Sequence, residues 1–304
     1  MTSFPAGYRV GHWTDAPRRT GCTVVLPPAG TTAAVDVRGG APGTRETGVF
    51  TPGNLVSEIH ALVFAGGSAF GLAAASGVAS WLRRRSIGFA IGPARVPIVP
   101  AAILFDLSVG DSDAYPDEDA GQAACEAARE GDIATGGVGA GTGATVGKLL
   151  GIGRASRGGL GAASVSLPGG ARVAALAAVN SFGDVVDPET GRPLAGARGE
   201  KDFLLSTRAL CRDDLPDRTL PGANTTLVCV ATDVAFEQGA LKRVAIEAHD
   251  GIARAVRPAH TVVDGDVVFA LAPAGGAPSL LARLRVGTAA AEAVARAIVN
   301  AVEN

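Results

Sequence analysis

The residues best able to do chemistry lie at 222–232, Gly-Ala-Asn-Thr-Thr-Leu-Val-Cys-Val-Ala-Thr. Pro221-Gly222 closes a polar stretch, and Asn224-Thr225-Thr226 opens onto an apolar, β-branched run. That order describes a turn entering a buried strand. It puts the Thr225 hydroxyl at the head of the strand. A threonine hydroxyl is a weak nucleophile, but one whose preceding peptide bond is cut gains its own α-amine as base. The segment can therefore be a self-cleaving nucleophile; taken alone, a plain turn before a core strand is the simpler reading.

Further polar groups stand where they could serve such a nucleophile. Asp264-Gly265-Asp266 follows His260-Thr261-Val262-Val263. Two carboxylates flanking a glycine can turn inward together and then need a cation or hydroxyls nearby. By itself the triplet reads as a hairpin turn. Asn180 ends an apolar run ahead of Ser181-Phe182-Gly183-Asp184. It is a turn residue by default, with an amide able to donate to an oxyanion. Lys148 closes the glycine-dense stretch Gly139-Ala140-Gly141-Thr142-Gly143-Ala144-Thr145-Val146-Gly147-Lys148.

Two phosphate readings of that stretch fail. A P-loop needs glycine where Thr142 stands and a hydroxyl where Leu149 stands. A dinucleotide fingerprint needs a preceding strand and an acidic residue near Ala163-Ser164. No cofactor is expected, and a glycine-rich turn aiming Lys148 into a cleft fits better. His12, His60, His249 and His260 are dispersed without H-x-x-x-H spacing, so no metal is expected, and His260 reads as structural. Cys22, Cys125, Cys211 and Cys229 form no C-x-x-C pair. That argues against zinc and disulfides, and for buried thiols in a reducing, cytoplasmic compartment.

The elements that must carry these residues follow from composition and pattern. The chain has 304 residues, 47% of them hydrophobic and 18% charged, enough for a sizeable core. Its 42 glycines are about twice the usual share. Aromatics are only 5%, so Ala, Val, Leu and Ile must build the interior. A net charge of −2 points to neither nucleic acid nor an anionic membrane. The N-terminus has no basic or apolar leader, so no signal peptide is expected. The uncharged run 61–82 is long enough to span a bilayer, but Gly66-Gly67-Ser68 divides it into a short strand and a small-residue helix. Strands are expected at 22–26, 31–37, 62–65, 172–179, 226–231 and 267–272, and helices at 69–85, 119–129, 236–256 and 286–302. Residues 187–217, rich in Pro, Gly and Asp, read as surface loop. No repeat is visible, and the mixed order suggests stacked sheets covered by helices.

With these residues in view, the chain resembles the L-aminopeptidase/D-esterase (DmpA-type) family of self-cleaving hydrolases, which includes the nylon-oligomer hydrolases. The resemblance runs through Val37-Arg38-Gly39-Gly40-Ala41-Pro42-Gly43-Thr44-Arg45-Glu46-Thr47, Gly66-Gly67-Ser68-Ala69-Phe70-Gly71-Leu72 and Val99-Pro100-Ala101-Ala102-Ile103-Leu104-Phe105-Asp106. It continues through the stretches around Lys148, Asn180, Thr225 and Asp264, in family order. It implies an α/β fold, a four-layer αββα sandwich of the N-terminal-nucleophile type, as a single domain over 1–304. It implies a cut between Asn224 and Thr225, giving an α chain 1–224 and a β chain 225–304, and assembly into a homo-oligomer such as a tetramer. It further implies that Thr225 is the nucleophile and Asn180 the oxyanion donor. Lys148, Asp264 and Asp266 correspond to the lysine and Asp-x-Asp pair of the nylon-hydrolase branch. Expected substrates are short peptides, amino-acid amides or 6-aminohexanoate oligomers. An acyl transferase like ornithine acetyltransferase shares this type of fold but matches the motifs less well. The non-enzyme alternative is an uncleaved small-molecule-binding relative.

Overall fold

Strands that are apolar on both faces need cover on both sides, and the architecture provides it. The computed structural model describes residues 2–212, 215 and 223–303. The first half supplies β1 (Arg9–Asp15), β2 (Thr20–Leu26), β3 (Thr31–Val37), β4 (Thr44–Arg45), β5 (Leu62–Ala65), α1 (Ala73–Arg83), β6 (Ala101–Ile103) and α2 (Glu118–Ala127). The second supplies β7 (Gly159–Ser166), β8 (Arg172–Asn180), β9 (Thr225–Thr232), α3 (Gln238–Ala255), β10 (Val267–Pro273) and α4 (Leu280–Asn300). One five-stranded sheet has the order β1-β2-β5-β6-β4, and the other β7-β8-β9-β10-β3. Pairing is antiparallel except for β5 with β6 and β9 with β10.

Strand alternation assigns each side chain to a layer. From β8, Ala174, Leu176 and Ala178 join Leu227, Cys229 and Phe269 in the core between the sheets, where Phe64 of the other sheet lies 6.2 Å from Phe269, ring to ring. The intervening Val173, Ala175, Ala177 and Val179 pack under α3 and α4. On the far side, Val24, Val63 and Ala101 pack under α1 and α2. The order is helices, sheet, sheet, helices: the expected αββα sandwich. Small residues let these layers approach closely. At Gly161 of β7, a Cβ would stand 2.0 Å from the Ala297 carbonyl oxygen of α4.

Several boundaries differ from the sequence reading. The helix expected from 69 opens as a 3-10 turn, Ser68–Leu72, before α1. Asp117 caps α2, its Oδ1 accepting the Ala120 N–H at 2.9 Å. Helix α4 starts at Leu280 rather than 286, because Ser279 accepts the Ala282 N–H at 3.2 Å and sets the end. Strands β1 and β7 lay outside the sequence expectation. So did the short strands within 187–204 and the Ser206–Leu210 helix, in a stretch read as loop. Asp184 organises that stretch from within. It is buried, and its carboxylate accepts the Ala197 N–H at 3.0 Å and the Ser206 N–H at 2.6 Å. The end of that expected loop, and the Pro221-Gly222 turn, lie outside the described residues. Among the described residues, no helix is long and apolar enough to cross a membrane.

Candidate active site

The antiparallel register of β8 and β9 sets Asn180 directly opposite Thr225. Opposed residues share a face, and alternation from Ala178 and Leu227 makes it the face between the sheets. Both are buried, Thr225 at 4% exposure and Asn180 at 0%. The candidate nucleophile and the candidate oxyanion donor thus stand side by side at one end of the sandwich.

The parallel pairing of β9 with β10 brings in the acidic loop. Asn224 bridges to Asp264, ahead of the register Leu227–Val267. The Gly265 N–H donates to the Asn224 carbonyl oxygen at 2.8 Å, and the Asn224 Nδ2 donates to the Val263 carbonyl at 3.1 Å. The Thr225 hydroxyl donates to that same Asn224 oxygen at 2.5 Å. A Cβ on Gly265 would stand 2.7 Å from the Ala41 oxygen and 2.9 Å from the Thr225 Oγ1. Only glycine lets the loop come this close to the hydroxyl.

Lys148 is aimed by its glycine. Gly147 has φ +70°, and a Cβ there would lie 2.1 Å from the Ala197 nitrogen. The Gly147 and Lys148 N–H groups donate to the Gly183 and Phe182 carbonyls, each at 3.0 Å. The Lys148 Nζ then donates to the Asn180 carbonyl (2.8 Å), the Asn180 Oδ1 (2.9 Å) and the Ala223 carbonyl (3.1 Å). The Asn180 Oδ1 also accepts the Thr145 N–H at 2.9 Å. With its oxygen held, the Asn180 Nδ2 points to the Ala223 and Phe105 carbonyls, both at 3.1 Å.

The two carboxylates have separate duties. The Asp264 Oδ1 accepts the Phe182 N–H at 3.1 Å, and its Oδ2 accepts the Thr261 N–H at 3.2 Å and the Thr261 hydroxyl. The Asp266 Oδ1 accepts the Thr226 N–H at 2.7 Å. This pair holds the backbone around the Thr225 hydroxyl, which itself turns to the Asn224 carbonyl. Burial, and then the neighbouring Asp266, push the Asp264 carboxyl above its ordinary value. Burial pushes the Lys148 ammonium down to about 7, partly opposed by Asp264 and Asp106. Asp106 was missed as a site residue although it ends a motif of the resemblance. It is 2% exposed, accepts the Gly67 N–H at 2.7 Å, and is itself raised by burial.

The four-layer αββα sandwich thus carries a buried threonine hydroxyl at the head of an inner strand. The chain belongs to peptidase family S58, whose model matches residues 6–304. It is a hydrolase of peptide and amide bonds. An uncharacterized aminopeptidase of Mycobacterium tuberculosis is 45% identical over 98% of this chain and 92% of its own. A 6-aminohexanoate-oligomer endohydrolase of a Kocuria species is 34% identical over 88% of this chain and 73% of its own. Among solved structures, the L-aminopeptidase D-Ala-esterase/amidase of Ochrobactrum anthropi, described as a variant of the Ntn hydrolase fold, superposes with TM-score 0.74 at 21% identity. It covers 99% of this chain and 86% of its own. A Burkholderia β-aminopeptidase superposes with TM-score 0.71 at 24% identity, covering 98% and 84%.

Proposed function

We propose that this chain activates itself by cutting the Asn224–Thr225 bond, and that the freed Thr225 then hydrolyses amide bonds of short peptides or amino-acid amides. The observation that carries the reading is the Thr225 hydroxyl on the Asn224 carbonyl, an oxygen already held by the Gly265 N–H at 2.8 Å. In the first reaction the Thr225 Oγ1 bonds to the Asn224 carbonyl carbon and the C–N bond breaks. The hydroxyl proton passes to the departing nitrogen, which becomes the new α-amine, and the Gly265 N–H supports the oxyanion. Water then hydrolyses the ester, leaving 1–224 and 225–304.

In the second reaction the α-amine takes the Thr225 hydroxyl proton as Oγ1 bonds to the substrate carbonyl carbon, and passes it to the departing amine as the amide C–N bond breaks; water then hydrolyses the acyl-enzyme ester and restores the hydroxyl. In the uncut chain, Lys148 and the Asn180 Nδ2 both donate to the Ala223 carbonyl. Retreat of the 1–224 end frees both donors for a substrate carbonyl oxygen. Asp264 and Asp266 hold the backbone on either side and offset the charges of the amine and Lys148. Thr225→Ala is expected to give a single band with no amidase activity; two fragments from that variant would sink the scheme.

The aminopeptidase relatives support substrates with a free amino terminus. The relatives named for 6-aminohexanoate oligomers support linear amides without α-substituents as well. Turnover of amino-acid p-nitroanilides, β-peptides and aminohexanoate oligomers by the cut enzyme ranks these classes. We also propose a homo-oligomer of αβ units, a tetramer by resemblance, and a cytoplasmic location in keeping with the free thiols of Cys22, Cys125, Cys211 and Cys229. Exposed Leu280, Leu281 and Leu284 at the start of α4 offer an apolar contact surface, and light scattering reads the assembly directly.

A further inference from the structure

One histidine that the scheme above leaves idle is built into the same loop. His260 has φ +56°, a left-handed conformation uncommon among residues other than glycine. That backbone lets two of its donors converge on one oxygen: the His260 N–H and Nδ1 reach the Asp266 Oδ2 at 2.9 and 2.8 Å. A carboxylate oxygen only accepts, so the proton of the ring belongs on Nδ1. The other oxygen of the same carboxylate takes the Thr226 N–H at 2.7 Å. One buried side chain, Asp266, therefore connects the His260 ring to the amide next to the nucleophile.

The ring is supported from behind. His249, fully buried in α3, meets it edge to face, with centroids 4.8 Å apart. The His249 Nε2 lies 3.0 Å from the Asp36 carbonyl oxygen, and burial pushes its titration down to about 4, leaving it neutral. The Asp36 carboxylate is bound in turn by Lys242 at 2.6 Å and Arg38 at 2.9 Å. This packing holds the His260 ring against Asp266.

We infer that His260 is a positioning residue for hydrolysis: it locks the Asp266 carboxylate onto the Thr226 amide and so fixes the Thr225 hydroxyl over the bond it attacks. The inference rests on Thr225 being the nucleophile.

Two substitutions separate the hydrogen bond from the backbone. Asparagine tolerates the left-handed conformation and carries a donor close to the position of Nδ1; glycine tolerates it without a donor. In the full-length enzyme, His260→Gly is expected to lower kcat and the self-cutting rate by about 10- to 100-fold, with KM within about twofold. His260→Asn should stay within about threefold of the parent. Parent-like rates in His260→Gly, or equal losses in folded His260→Gly and His260→Asn, would overturn the assignment. Should the glycine variant not fold, 15N resonances of the unaltered chain decide: a proton on the His260 Nδ1 supports the lock, and one on Nε2 alone removes it. The anchor also has a readout that does not depend on the nucleophile. In the Thr225→Ala chain, the Thr226 amide should exchange slowly with solvent, and faster when His260→Gly is added. Amidase activity in Thr225→Ala would refute the nucleophile, while this exchange would still report the anchor.

Discussion

Lys148 meets opposing demands at the residue scale. Three carbonyl-type oxygens surround its Nζ, a set that suits an ammonium, yet burial lowers it to about 7. An unfolded lysine keeps its proton to about 10.4. Between those values the unfolded chain binds more protons than the fold, so this residue makes stability rise with pH across that window. Lys148→Met should remove that contribution. Urea unfolding of the uncut Thr225→Ala chain, with and without Lys148→Met, should show a shallower rise from about pH 7 to pH 10 in the double variant. Identical pH slopes would mean that Lys148 keeps its proton in the fold.

At the scale of elements, the site depends on one loop laid beside one strand. Gly265 is the point of closest approach, and a methyl there meets both the Ala41 oxygen and the Thr225 Oγ1. Gly265→Ala should leave the fold standing at a loss of roughly 1–3 kcal/mol while displacing the loop. Self-cutting should then slow by at least about tenfold, since the donor to the Asn224 carbonyl moves with the loop. Fragment formation after refolding, followed on gels, measures it; a parent-like rate would show that the Gly265 N–H gives that carbonyl no support. Asp184 plays a comparable part in the 187–210 stretch, where charge and proline concealed a small structured cap. The apolar runs of β8, β9 and β10 were legible because both of their faces are covered. β1 was not, since its burial is partial and polar residues break its pattern. β7 was not either, because its glycines and alanines carry little strand signal.

For the whole molecule, stability and the proposed chemistry share one interface. The core between the sheets ends in Asn180 and Thr225, so packing there sets how firmly the site is held. Phe269 is fully buried against Phe64 at that interface. Phe269→Ala should lower stability by about 3–5 kcal/mol, read as a shift of the urea midpoint in the uncut chain. A change under about 1 kcal/mol would mean that the two sheets hold together without it.

The sequence by itself shows the residue types of the proposed site and most of the layers. A threonine at the head of an apolar strand, a lysine after a glycine-dense turn, an asparagine ending a strand and an Asp-Gly-Asp triplet are all visible as residue types. Hydrophobic periodicity places most of the strands and helices around them. Tertiary structure alone decided which atoms meet. Register put Asn180 opposite Thr225, and parallel pairing laid Gly265 against the Asn224 carbonyl. A left-handed backbone turned His260 from an isolated histidine into a partner of Asp266. Periodicity reports which face of an element is buried, whereas register and close approach depend on pairings between distant segments, which no local pattern encodes.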